Sequence, residues 1–156
     1  MEVRPLTEID AARITSWRYP GPYSTYDIND PSSLARDHFG VSEGDVLVGY
    51  CCFGAPARVC GADPEAGTLD VGYGLAPDRM GRGLGGRFVA AVLEFARQRY
   101  APERFRMYIL DWNTRSRTVA AGLGFVERSA VRTGTEVFIL VVRDAHPPRP
   151  VESLRR

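Results

Sequence analysis

Lysine is absent from this sequence; all 20 basic residues are arginine. That removes a Schiff-base lysine, a lysine general base and self-acetylation of a lysine side chain from the available chemistry. Histidine is nearly absent, with only His38 and His146, and neither lies near an acidic pattern that a metal would need. Cysteine occurs at 51, 52 and 60, without C-x-x-C or Cys/His ligand spacing. No metal is therefore expected, and the thiols read as reduced. Excess charge of either sign is missing too: the formal net charge is +1, so no global field draws in nucleic acid. No apolar run reaches spanning length, and Met1 leads into a charged amphipathic segment rather than an apolar leader core. The expectation is a soluble cytoplasmic protein with no nucleic-acid or membrane partner.

What is present is ordinary globular material. Hydrophobic residues make up 44% and charged residues 25% of 156 positions, which suits one domain around one core. EVRPL alternates like a strand. TEIDAARITSW reads as a helix capped by Thr7, with Asp10 completing a capping box. RYPGPYSTYD is a loop crowded with Tyr19, Tyr23 and Tyr26. DPSSLARDHF reads as a short helix, with Asp30 as N-cap and Pro31 at its first position. From residue 41 the period becomes that of strands: a hairpin around Gly44-Asp45, then TLDVGYGLAP after a turn-rich insert. The main helix spans 83–99, with Phe88, Val89, Val92, Leu93 and Ala96 on one face. RFRMYILDWN is a strand, TRSRTVAAGLG a helix and FVERSAVRTGTEVFILVVRD a closing hairpin. The prolines of AHPPRPVESLRR predict a flexible tail over 144–156. The order implies an α+β fold: one mixed, mostly antiparallel sheet covered by about four helices, with a parallel pair across a right-handed crossover.

DRMGRGLGG, residues 78–86, stands directly before the main helix. Glycine is costly inside a helix, so a plain helix start is one reading but a wasteful one. Gly81, Gly83 and Gly86 also satisfy G-x-G-x-x-G, with Glu103 at the distance of a ribose-binding acid. A dinucleotide site, however, opens on the first strand of a repeated βαβ unit, and only one crossover is legible. The third reading is a pyrophosphate cradle of main-chain N–H groups at a helix N-terminus, flanked by Arg82 and Arg87.

PDRMGRGLGGRFV resembles the acyl-CoA site of the GNAT N-acetyltransferases, [RQ]-x-x-G-x-[GA] between a strand and a long helix. Aligned on Gly83 and Gly85, the leading position is Met80, and Arg79 falls one place early. DVGYGLAP is similar to the E-I-G-Y-x-L-x-P strand of the ribosomal-protein N-terminal acetyltransferase branch, and WNTRSRTVAAGLGF to the family's N-x-x-A-x-x-x-Y-x-x-x-G-F helix. The resemblance covers residues 1–143, an acetyltransferase domain with a splayed parallel strand pair. It implies acetyl-CoA as co-substrate, held by Leu75, Ala76, Pro77, Met80, Gly81, Arg82, Gly83, Leu84, Gly85, Gly86, Arg87 and Asn113. It also implies a primary-amine acceptor, a small molecule or a protein N-terminus, attacked directly in a ternary complex. Many relatives are homodimers.

Asp70 occupies the acidic position of E-I-G-Y and is the candidate general base; the alternative is an ion pair with a nearby arginine. The family's proton-donating tyrosine, seven residues after Asn113, is replaced here by Ala120. Tyr73, Tyr108 and Ser116 are the substitutes on offer, and a non-catalytic acyl-CoA-binding module is the alternative. Arg115 and Arg117 either approach CoA phosphates or form a solvated helix face. Trp17, Tyr19, Tyr23 and Tyr26 are expected at the acceptor entrance, where loops on a rigid scaffold set specificity.

Overall fold

The computed structural model describes residues 1–146. Its frame is a seven-stranded sheet: β1 (Glu2–Pro5), β2 (His38–Glu43), β3 (Val46–Phe53), β4 (Thr68–Leu75), β5 (Arg104–Leu110), β6 (Val126–Thr133) and β7 (Glu136–Asp144). The spatial order is β1-β2-β3-β4-β5-β7-β6. Every neighbouring pair is antiparallel except β4–β5, which is parallel and joined by the crossover helix α2 (Gly85–Tyr100). Two more α-helices flank it in sequence, α1 (Glu8–Ser16) and α3 (Thr114–Gly122), and 3-10 turns cover Gly21–Tyr26, Pro31–Leu34, Ala55–Ala57 and Pro77–Arg79.

The core forms where the periodicity places it. Phe88, Val89, Val92, Leu93 and Ala96 of α2 are buried against Val71, Phe105 and Met107 of the sheet. A smaller cluster of Ile14, Leu34 and Leu47 seals the opposite face beneath α1, with Trp17 and Tyr50 packed on its rim.

Two local expectations are corrected. DPSSLARDHF forms no α-helix: Asp30 caps a single 3-10 turn, Arg36 and Asp37 turn left-handed, and β2 already begins at His38. Phe39 explains the outcome, because it pairs with Pro5 and Cys51 and packs its ring on Phe53 and Phe95. Tertiary pairing outweighs a local helix signal here. At the other end the fold passes the expected boundary at 143. β7 runs through Asp144, and buried Ala145 donates its N–H to the Glu103 carbonyl at 2.9 Å. The rest of the expected tail, 147–156, lies outside the described residues.

The capping box is present as read. The Asp10 N–H donates to Thr7 Oγ1 at 3.1 Å, and Asp10 Oδ2 accepts the Thr7 N–H at 3.0 Å. Arg4 closes the arrangement by donating both Nη atoms to the same carboxylate. The Arg4 hydrogen bond, aided by Thr7, holds Asp10 down to about 2. A carboxylate depressed in the folded state stabilises above its unfolded value near 4 and loses that contribution as pH falls through about 2. Asp10→Asn should therefore be about 2 kcal/mol less stable than the parent at pH 7, with the gap closing between about pH 4 and pH 2. Urea midpoints measured down that range check it; a gap constant with pH would refute the assignment.

Candidate active site

β4 and β5 touch only at their starts, where Thr68, Leu69 and Asp70 pair with Arg104, Phe105 and Arg106. Beyond Asp70 they part: β4 stays on β3 as far as Leu75–Gly49, and β5 stays on β7 as far as Leu110–Phe138. The phase of the β3–β4 ladder is fixed at both ends, by Gly54 N–H to the Asp70 carbonyl and Ala76 N–H to the Val48 carbonyl, each 2.9 Å. Alternation then turns the main-chain groups of Val71, Tyr73 and Leu75 away from β3 and toward the gap. The Leu75 carbonyl is taken by the Tyr19 hydroxyl, which donates to it at 2.6 Å; the Leu75 N–H remains. A cleft of about 580 Å³ runs through this gap, from the start of α2 to the Gly21–Tyr26 turn.

At the α2 end the glycines act through conformation. Gly81 and Gly83 adopt φ of +71° and +72°, the left-handed region open to glycine at little cost. The N-cap of α2 is Leu84, which offers no side-chain acceptor. Among the described residues, no protein acceptor meets any N–H from Gly81 through Arg87; the first bond of the helix is Phe88 N–H to the Leu84 carbonyl. Met80, Gly81, Gly83, Leu84 and Gly85 line the cleft, and Arg79 joins them. Arg82 and Gly86 do not reach the lining. Arg87 points elsewhere, donating to Glu43 at 3.1 Å on the surface. Ala76 is buried against β3, and Pro77 opens the short turn that leads into the loop. Arg115 supplies positive charge that the motif lacks. Its Nη2 lies 3.5 Å from where a Cβ on Gly81 would stand, and its guanidinium is 5.4 Å from the Tyr23 ring centre. Arg117 is occupied on the surface by Glu127.

In the middle of the cleft, the Tyr73 hydroxyl and Ser116 Oγ form a short hydrogen bond between β4 and α3. Burial raises the Tyr73 phenol above its ordinary range, so it keeps its proton at neutral pH. Ala120, one turn further along α3, is buried and carries no polar group. Asn113 accepts the Ser116 N–H at 3.1 Å, capping α3, and donates to the Tyr26 hydroxyl at 2.8 Å.

The far end is a wall of tyrosines. Tyr19, Tyr23 and Tyr26 line the cleft from the loop, and Tyr50 and Tyr108 line it from the sheet. Tyr50 is one the sequence reading missed. A Cβ on Gly74 would lie 2.5 Å from Tyr50 Cε1 and 2.8 Å from its hydroxyl, so the ring lies on the bare glycine backbone. The only available signal was Gly74 itself, because the register pairing Tyr50 with Gly74 belongs to the folded sheet. Trp112 was also missed; its ring meets Tyr23 edge-on at 5.2 Å. Trp17 is a correction: it does not line the cleft but packs beside Tyr50, 6.4 Å between ring centres, over the smaller core cluster.

Asp70 is the larger correction. It is 2% exposed and does not line the cleft. Arg106 grips both its carboxylate oxygens, at 2.6 and 3.0 Å, and Arg58 adds a bond at 2.7 Å. Three guanidinium hydrogen bonds engage this carboxylate in an ion pair, on the face of β4 that it shares with Gly72 and Gly74 but outside the cleft lining. Among the described residues, no Asp, Glu or His lines the cleft. Cys51 and Cys52 are buried; burial lifts Cys51 well above the thiol range and Cys52 to about 12, so neither is a nucleophile.

A seven-stranded sheet that splays at one parallel pair, above a helix opened by unbonded glycine amides, is an acyl-CoA-transferase architecture. The profile of the acetyltransferase (GNAT) domain matches residues 1–126, and the chain belongs to that family; it is an acyltransferase. Solved structures share the fold. The aminoglycoside acetyltransferase AAC(6')-Ib in complex with coenzyme A has a TM-score of 0.73 at 20% identity, over 91% of this chain and 93% of that one. A chimera of the spermidine N-acetyltransferase from Vibrio cholerae and hSSAT scores 0.70 at 12% identity, over 93% and 96%. RimJ from Mycobacterium smegmatis, in complex with CoA-disulfide, scores 0.66 at 18%, over 99% and 83%. No curated protein sequence matches the chain significantly. Among the described residues, no helix is long and apolar enough to cross a membrane.

Proposed function

We propose that the protein transfers the acetyl group of acetyl-CoA to a primary amine by direct attack in a ternary complex. The observation that carries this reading is the unbonded run of N–H groups from Gly81 through Arg87 at the head of α2, open to the splayed strands. Such a run meets a diphosphate without rearrangement, and the helix dipole favours the negative charge. Arg79 and Arg115 add side-chain charge at the same mouth. Acetyl-CoA supplies the activated acyl group; the Leu75 N–H, turned toward the gap, is the donor for its thioester oxygen. The acceptor is a small-molecule amine or, through the likeness of DVGYGLAP to the ribosomal-protein branch, a protein N-terminus.

In the transfer the amine nitrogen bonds to the acyl carbon, the C–S bond breaks, the amine loses a proton and the departing sulfur gains one. Tyr73 and Ser116 are the proton source for the sulfur, in place of the family tyrosine that is Ala120 here. Tyr73→Phe is expected to lower kcat about 10²-fold, the low end for general acids because a thiolate is a fair leaving group. Ser116→Ala should cost a similar factor, and the double variant little more than either, since the two hydroxyls act as one relay. Thiol release from acetyl-CoA over a panel of amines, at saturating co-substrate, tests both the activity and the relay. An unchanged kcat in Tyr73→Phe removes the relay. No release with any amine removes the transferase reading.

A further inference from the structure

The acceptor end of the cleft is lined by aromatic rings, and the carboxylates nearest them are engaged outside the lining: Asp27 by the Tyr19 N–H, Glu136 by the Thr25 hydroxyl, and Asp70 by Arg106 and Arg58. Tyr23, Tyr26, Tyr50 and Tyr108 form its walls, and Trp112 braces Tyr23 and Tyr26 from outside at 5.2 and 6.1 Å. Among the described residues, no carboxylate or histidine lines it, and the nearest lining charges, Arg79 and Arg115, are both positive. Two consequences follow. An acceptor carrying several ammonium groups would bury them unpaired and against like charge, which is costly. An acceptor that arrives protonated finds no lining base to remove the proton before attack. Both difficulties vanish for an amine that is neutral at pH 7 and flat enough to stack between rings.

We infer that this site takes a weakly basic aromatic amine, its ring held between Tyr23 and Tyr50 and its nitrogen directed to the gap beside Gly74, and that it rejects polycationic acceptors. The inference rests on the acetyl-transfer reading and narrows its acceptor. Tyr23 and Tyr50 are specificity residues in this account.

The test compares 4-methylaniline, benzylamine, spermidine, kanamycin and a short peptide with a free N-terminus, after coenzyme A binding has been measured by calorimetry. With 4-methylaniline, kcat/KM should exceed that for spermidine and kanamycin by at least about tenfold, the scale of one well-matched contact set. Its rate should be flat from about pH 7 to 9, whereas benzylamine should rise about tenfold per pH unit as its ammonium deprotonates. Tyr23→Ala should raise KM for 4-methylaniline about tenfold and that for acetyl-CoA by clearly less, because Tyr23 reaches the co-substrate end only through Arg115. Higher kcat/KM for spermidine, kanamycin or the peptide overturns the inference, as does no turnover of 4-methylaniline in a protein that binds coenzyme A. If coenzyme A itself fails to bind, the acetyl-transfer reading falls and this one with it.

Discussion

Asp70→Ala is expected to cost about 3–5 kcal/mol of folding free energy, the penalty of stranding a buried partner charge. Arg106 is 8% exposed, and without the carboxylate it keeps the Asp63 carbonyl at 2.8 Å, Glu65 at 3.9 Å and the Tyr108 ring at 5.5 Å, none of which replaces a bidentate carboxylate. Arg58, 22% exposed at its side chain, loses its carboxylate in the same change. Domains of this kind have about 5–15 kcal/mol in total, so the loss would leave little folded protein at elevated temperature. Asp70→Asn should fall between, because an amide oxygen still accepts from a guanidinium but brings no charge. The decisive comparison is urea midpoint against turnover per folded molecule. The ion pair predicts a large fall in the first and little change in the second. A variant that melts like the parent yet loses kcat/KM about a hundredfold would restore Asp70 as the base.

Gly83→Val is expected to raise the dissociation constant for coenzyme A by about 10- to 100-fold, equivalent to about 1.4–2.8 kcal/mol. Gly83 stands at φ +72°, and a β-branched residue there is strained by at least about 1–2 kcal/mol. Nothing lies within 4 Å of an added Cβ, so no clash accompanies the strain. The loop must relax to an ordinary dihedral, and relaxing re-aims the N–H groups on either side of it. Gly86→Ala is the control. Its φ is not positive, an added Cβ meets nothing within 4 Å, and it sits inside α2, where alanine is favoured by about 0.5–1 kcal/mol. Calorimetry should find coenzyme A binding intact in Gly86→Ala and thermal stability equal or higher. Equal affinity in the two variants would dissociate binding from the loop amides.

How much of this was written in the sequence divides by the range of the interactions. The capping box of α1, the buried face of α2, the crossover and the glycine turn all depend on neighbours within a few residues, and each is where the pattern put it. The helix expected after Asp30 failed because Phe39 answers to Pro5 and Cys51 across two strand ladders. Asp70 shows the same limit in the site. Its motif position said base, but its partners come from an insert at Arg58 and from the adjacent parallel strand at Arg106, and only register brings them together. Tyr50 was invisible for the converse reason: a tyrosine in an apolar strand looks like core until a bare glycine is found opposite. The Tyr73–Ser116 contact joins two of the three hydroxyls that spacing alone could not rank, and that pairing depends on β4 and α3 meeting in the fold.

The two ends of the cleft are built from different materials. At the α2 end and along β4 the proposed contacts to the diphosphate and the thioester oxygen come chiefly from the peptide backbone, which most single substitutions leave chemically intact. At the tyrosine end the walls are side chains on a loop and on strands, replaceable one at a time. Such a protein can drift, or be steered by laboratory selection, from one acceptor to another while its grip on the acyl donor is inherited unchanged.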